Sequence, residues 1–214
     1  MNILFTLNDA FVPQVATCMC SIFENNQSAE NITVYLIGER ISQENQNKLK
    51  GFAKSYDRKV CIISINNIAD YIDFDFDTNG WSSIILARLF LDKLLPQEVD
   101  RILYLDGDTL VLEDLGSLFY SDLGDKVIGM CPEPTVDKSR KEFLALKEYP
   151  YHNSGVLLID LKKWRREEIG KKVIEFYQFH EGKLFAPDQD ALNGALKEQI
   201  FTLPISFNYF NIYD

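Results

Sequence analysis

Two aspartates one residue apart, Asp106 and Asp108, directly follow the apolar run Ile102-Leu103-Tyr104-Leu105. Paired carboxylates repel each other and are costly to desolvate. A divalent cation resolves both problems, and oxygen donors of this kind suit Mg²⁺ or Mn²⁺. A short continuous apolar run reads as a strand buried on both faces, and open α/β sheets place ligands beyond the C-terminal ends of such strands. The competing reading is a pair of exposed turn aspartates.

Other polar residues stand in comparable places. Thr6, Asn8 and Asp9 end the first apolar run, where an amide or carboxylate reads the polar edge of a ligand or caps the next helix. Arg88 interrupts an apolar stretch. A buried arginine requires an anion, either a ligand or a structural carboxylate. Arg88 is expected to face a ligand cleft and not a remote ion pair, so that Arg88→Met leaves the thermal midpoint without ligand nearly unchanged. Asn153, Ser154 and Gly155 precede another apolar run. There Gly155 permits close backbone approach, or the three form a plain turn. Asp188 and Gln189 follow Pro187 at a predicted helix start, a place that favours anionic or hydroxyl-rich ligands and equally favours an N-capping aspartate. Glu133, between two prolines, reads as an exposed loop residue. His152 and His180, the two histidines, fit no triad or ligand spacing and are read as non-catalytic.

The positioning elements follow from hydrophobic periodicity. Strands are predicted at residues 2–7, 31–37, 60–65, 101–105, 127–130 and 155–159. Helices are predicted at 12–23, 42–56 with Ser42 as N-cap, 82–95, 167–179 and 188–196. Residues 70–79 read as a loop and 135–149 as a mobile polar excursion. The β-α-β-α-β order of the first 65 residues predicts a parallel, right-handed, nucleotide-binding half. No internal repeat is visible.

A chain of 214 residues, 46% hydrophobic and 25% charged, suits one soluble domain with a sizeable core. The net charge of −10 argues against nucleic acid as a partner and leaves no polybasic patch for anionic lipid. Cys18, Cys20, Cys61 and Cys131 lack zinc spacing and read as reduced core thiols in the cytoplasm. No signal peptide and no apolar run long enough to span a membrane is visible.

Taken in order, the segments FTLND, ARL at 87–89, LYLDGDTLV at 103–111, DLGD at 122–125, NSGVLLIDLKKWR at 153–165 and DQDALN at 188–193 resemble glycosyltransferase family 8, which includes bacterial lipopolysaccharide galactosyl- and glucosyltransferases and glycogenin. The resemblance covers nearly the whole chain. It implies an α/β GT-A fold with a mostly parallel mixed sheet flanked by helices. It also implies a UDP-sugar donor (UDP-glucose or UDP-galactose), a Mn²⁺ or Mg²⁺ ion, a saccharide or glycolipid acceptor, and hexosyl transfer with retention of configuration. By resemblance Asp106 and Asp108 bind the metal, and Asp106 also faces the ribose. Thr6, Asn8 and Asp9 face the nucleoside, with Asn8 on the uracil. Arg88, Ser154 and Gly155 lie in the donor site. Asn153 and Asp188 contact the transferred sugar, and Gln189 lies by the anomeric carbon on the face opposite UDP. Glu133 matches an acidic residue facing sugar or acceptor.

The chain departs from the family at Ala10, where many members carry asparagine, and lacks an HxxGxxKPW segment beyond the last helix. That segment supplies a third metal ligand and a diphosphate lysine, and in some members lies near basic and aromatic residues that contact membrane. Residues 1–214 are therefore expected to be a single GT-A domain truncated at its C-terminus, with weak donor binding and little or no transfer, membrane-associated only in a longer form. Two other functions remain open: a nucleotide-sugar-binding protein without transferase activity, and a phosphohydrolase of the haloacid dehalogenase type. The second needs its glycine after the second aspartate, whereas here it lies between them.

Overall fold

The computed structural model of the protein describes residues 1–210. Among these residues, strands β1 (Asn2–Asn8), β2 (Thr33–Glu39), β3 (Lys59–Ile65), β4 (Arg101–Leu105), β5 (Ile128–Pro132), β6 (His152–Asp160) and β7 (Ile200–Thr202) form a sheet of order β3-β2-β1-β4-β6-β5-β7. The helices are α1 (Val12–Asn25), α2 (Gln43–Ser55), α3 (Leu91–Leu94), α4 (Gly116–Phe119), α5 (Lys138–Phe143), α6 (Leu161–Arg166), α7 (Ile169–Phe179) and α8 (Pro187–Leu196). No helix among the described residues is long and apolar enough to cross a membrane.

The first half is the parallel unit that its periodicity predicts: β1 pairs in parallel with β2 and β4, and β2 with β3. Alternate β1 residues feed two cores. Ile3, Phe5 and Leu7 pack with Val15, Ile22 and Leu36 on one face, and Leu4 packs with Ile102, Tyr104 and Trp164 on the other. Each such apolar side chain contributes about 1.5–3 kcal/mol on full burial. β6 then runs antiparallel to both β4 and β5. Its pairing of Leu105 with Val156 brings the start of β6 to the carboxyl end of β4. The backbone N–H of Asp106 donates to the Gly155 carbonyl at 2.8 Å. Strand reversal thus carries Asn153–Gly155 to the two aspartates.

Several predicted elements differ in the structure. Residues 82–95 are not one α-helix. A 3₁₀ segment, Ser83–Leu89, precedes the single turn of α3. Ile84, Leu86, Ala87, Arg88 and Leu89 are all buried, so burial on every side left no 3.6-residue face to read. The predicted 167–179 helix is α7 alone, preceded by α6 and separated from it by Glu168 at φ 52°. The 135–149 excursion is folded. Asp137 caps α5 by accepting from Arg140 N, and Leu144 and Leu146 enter the core. Ser42 caps α2 as expected, accepting from Asn45 N at 3.3 Å. All four cysteines are free, but only Cys18 and Cys131 are buried; Cys20 is half-buried and Cys61 lies exposed on strand β3.

Candidate active site

A cavity of about 560 Å³ opens at the carboxyl ends of β1 and β4, bounded across the sheet by the 3₁₀ segment, the start of β6 and the first turn of α8. Thr6, Asn8, Arg88, Asp106, Asp108, Asn153, Ser154, Asp188 and Gln189 all line it.

Arg88 organises one wall. Its side chain is 4% exposed and forms ion pairs with Asp106 at 3.0 Å and Asp188 at 3.1 Å. It also donates to the Ser154 carbonyl at 2.9 Å, and it lies 4.0 Å from the centroid of the Tyr104 ring. Burial opposes the guanidinium charge, but Tyr104, Asp188 and Asp106 outweigh it and hold Arg88 above its ordinary value. Burial raises the Asp188 carboxyl, with Arg88 pulling it back. Arg88 is therefore both a cavity residue and a structural ion-pair centre. This overturns the expectation that its removal leaves intrinsic stability unchanged. Asp188 does not cap its helix: Ala186 is the N-cap, without a side-chain bond. The Asp188 carboxylate instead accepts from Ser154 Oγ at 3.0 Å.

Asp106 divides its carboxylate between two tasks. Oδ1 accepts from Arg88 and, at 2.7 Å, from the Tyr104 hydroxyl. That hydroxyl lies 3.2 Å from Thr6 Oγ1, and burial raises its pKa well above the usual phenol value. Among the described residues no hydrogen bond engages Asp106 Oδ2. A methyl group placed on Gly155 would approach that oxygen to 3.1 Å, so the missing side chain keeps its surroundings open. Gly107 likewise packs against Val15 and Phe11, leaving Asp108 exposed beyond the strand with no side-chain partner among the described residues. Asp106 Oδ2 and both Asp108 oxygens are thus uncommitted. This donor set fits Mg²⁺ or Mn²⁺, which take one or two carboxylates and draw other oxygens from phosphate or water. No group of three or more His, Cys, Asp or Glu placed to hold a metal occurs among the described residues.

At the β1 end, Asn8 Oδ1 is buried without a hydrogen-bond partner among the described residues, a cost to the folded state unless a ligand donor meets it. Asp9 is placed differently from expectation. Its Oδ1 accepts from Ser42 N and Asn45 Nδ2, each at 2.8 Å, and it does not line the cavity. The Ser42 N–H, followed by Asn45, holds its carboxyl below the ordinary value. Asp9 therefore secures the start of α2, because that helix entrance offers it two donors.

The opposite wall joins Glu133, Asn153 and Gln189. Glu133 Oε2 accepts from Asn153 Nδ2 at 3.0 Å and Gln189 Nε2 at 2.9 Å, so Glu133 is a member of the site. Asn153 Oδ1 accepts from Gly155 N and Asn208 Nδ2. His152 is buried, and burial pushes its ring down to about 4; His180 packs against Phe143, Phe176 and Phe179. Neither lines the cavity. Sequence patterning missed Tyr104, Arg140, Trp81 and Phe185, which line it, and Tyr151 and Asp190 behind it. The Arg140–Asp190 pair spans 50 residues and has no periodic signature.

Comparison with known proteins gives the family and the fold. The family model for glycosyl transferase family 8 matches residues 2–214. The chain is 28% identical over 215 residues to a lipopolysaccharide 1,2-glucosyltransferase of Escherichia coli, covering 97% of this chain and 62% of the relative. It is 27% identical over 212 residues to the glycosyltransferase GlyE of Streptococcus pneumoniae, covering 99% and 48%. It therefore spans less than two-thirds of the length of these curated relatives. The solved structure of the galactosyltransferase LgtC, in complex with donor and acceptor sugar analogues, superposes with a TM-score of 0.85 at 28% identity, over 96% of this chain and 74% of LgtC. The architecture is the GT-A fold, and the phosphohydrolase reading falls away. On these grounds the chain belongs to glycosyl transferase family 8.

Proposed function

We propose that this chain, as a single GT-A domain, transfers a hexose from UDP-glucose or UDP-galactose to a saccharide acceptor with retention of anomeric configuration. The observation that carries this reading is the uncommitted carboxylate oxygens of Asp106 and Asp108 at the mouth of a cavity whose other walls carry amides and a buried arginine. Asp106 and Asp108 would hold Mn²⁺ or Mg²⁺. Bound there, the ion would neutralise charge on the departing diphosphate.

The chain's own residues do the rest. Asn8 Oδ1 offers an acceptor to the imide N–H of uracil. Arg88 fixes Asp106 and Asp188, so that Asp106 presents Oδ2 and Asp188 presents its second oxygen to a sugar hydroxyl. The bond from the anomeric carbon to the diphosphate oxygen breaks, and a bond to the acceptor hydroxyl oxygen forms on the same face. The acceptor proton passes to the departing phosphate oxygen. A carboxamide is a poor nucleophile, so Gln189 stabilises the electron-poor anomeric carbon through its carbonyl dipole instead of bonding to it. Glu133 and Asn153 line the side from which sugar hydroxyls are read.

UDP release from UDP-glucose and UDP-galactose, with Mn²⁺ and a saccharide acceptor, tests the assignment. Asp106→Asn and Asp108→Asn should each remove release, and undiminished release in either variant contradicts it. Metal-dependent UDP binding with no release in any acceptor mixture favours the second reading, a nucleotide-sugar-binding protein. The observation behind that reading is that no third carboxylate or histidine among the described residues joins the aspartate pair.

A further inference from the structure

The Gln189 amide is almost fully committed to the protein. Nε2 donates to Glu133 Oε2 at 2.9 Å and to the Tyr151 hydroxyl at 3.0 Å, while Oε1 accepts from Ser154 N at 2.8 Å. A carboxamide has two N–H donors and two oxygen lone pairs. Both donors and one lone pair are spent. The remaining lone pair of Oε1 is all the amide offers to a ligand in the cavity it lines.

Tyr151 is equally committed, and that fixes its polarity. It donates to Asp190 Oδ1 at 2.6 Å and accepts from Gln189 Nε2 and from Arg140 Nη2 at 2.9 Å. One proton and two lone pairs are all a phenol has. Asp190 is 1% exposed. Arg140 clamps it through Nε at 3.0 Å and Nη2 at 2.7 Å, and Ala186 N donates to its other oxygen. An ionised carboxylate only accepts, so the Tyr151 proton belongs to Asp190 and the Tyr151 oxygen must receive an N–H from Gln189. Arg140 is itself held 4.5 Å over the Phe185 ring.

We propose that Arg140, Asp190 and Tyr151 are positioning residues that together keep Gln189 turned with Oε1, and not Nε2, towards the reacting sugar. The proposal rests on the donor-site reading above, with Gln189 beside the anomeric carbon. Glu133 gives a second anchor to Nε2, but it lines the cavity and is open to competition from sugar hydroxyls. Tyr151 lies behind it, buried, where no ligand reaches. Once a sugar engages Glu133, Tyr151 remains the acceptor that holds the amide nitrogen back, opposite the Ser154 N–H that holds Oε1. A reversed amide would aim N–H dipoles at a carbon gaining positive charge. That penalty exists only in the transition state, so losing the anchor lowers kcat and spares KM.

Tyr151→Phe keeps the ring and deletes the hydroxyl. In a folded variant, kcat should fall roughly 10- to 100-fold, the range typical of groups that orient others, with the donor KM and the UDP affinity in Mn²⁺ within about twofold of the parent. Unchanged kcat, or an equal loss in kcat and UDP affinity, overturns the proposal. A second measurement is read on the unsubstituted protein: the side-chain ¹⁵N–¹H₂ pair of Gln189, assigned by its disappearance in folded Gln189→Met. Both protons should exchange slowly with solvent, with UDP bound as well as without. Exchange as fast as that of an exposed glutamine overturns the relay. If the protein binds UDP but releases none from either donor, the transferase reading fails while the amide signals still decide the relay.

Discussion

Replacing Arg88 by methionine removes one guanidinium from between two carboxylates. At about 3 Å and an effective dielectric near 20, each pairing carries roughly 5 kcal/mol of Coulomb energy before desolvation is subtracted. The Asp106 side chain is 37% exposed, so solvent screens its share and little of it counts towards stability. The Asp188 side chain is 8% exposed, and losing its partner strands a buried charge, which typically costs about 3–5 kcal/mol. For a chain of this size each kcal/mol lowers the midpoint by about 2–4 °C, so Arg88→Met should melt roughly 6–20 °C below the parent. The loss should be pH-dependent. Asp188 has a folded pKa raised above its ordinary 3.8, and removing Arg88 raises it further. Between those values the folded state binds more protons than the unfolded state, so acid relieves the penalty. Scanning calorimetry at pH 7.5 and 5 should therefore show a smaller deficit at the lower pH. A midpoint within about 2 °C of the parent, or a deficit that grows in acid, would refute this reasoning.

Four other substitutions probe separate parts of the structure. Gly155→Ala places a methyl group 3.1 Å from Asp106 Oδ2 and 2.9 Å from Asn153 Oδ1; titration calorimetry should show UDP affinity in Mn²⁺ falling roughly tenfold or more, with little change in chelator. Asn8→Ala removes a buried oxygen that has no donor, so chemical denaturation should show stability unchanged or higher by up to about 1 kcal/mol, while UDP binds more weakly. Asp9→Asn should lower the thermal midpoint modestly and leave UDP affinity nearly untouched, because its carboxylate serves the start of α2. Burial holds His152 at about 4 against an ordinary 6.5. The unfolded state therefore binds more protons across that window, stability falls as pH drops through it, and His152→Gln should flatten the slope seen in acid denaturation.

Most of the sheet and half of the site could be read from residues alone. The runs at 2–7, 31–37 and 101–105 are short, mostly apolar and rich in β-branched and aromatic residues, the pattern of strands buried on both faces. The same logic put Asp106 and Asp108 at a ligand edge, since a β-carboxyl end is where such residues escape the core. The reversed direction of β6 was not legible. Residues 155–159 look like any buried run, and only the pairing of Leu105 with Val156 reveals that β6 enters from the cavity side. Local competition misled at Asp9, whose preference for capping was satisfied at a helix 33 residues away. Arg140 was hidden by its own context. A basic residue in a polar excursion reads as solvated, and its burial follows from Asp190, Tyr151 and Phe185 meeting it from distant parts of the chain.

Calorimetric titration of UDP into the protein, once in Mn²⁺ and once in chelator, tests the aspartate pair most directly. Affinity in Mn²⁺ should exceed that in chelator by roughly tenfold or more, since Asp106 and Asp108 would hold the ion and its charge would offset that of the diphosphate. Asp108→Asn should erase most of that difference, and Asp9→Asn should preserve it. Equal affinity with and without the metal, or a metal effect that survives in Asp108→Asn, would contradict the assignment of these two aspartates as the cation site.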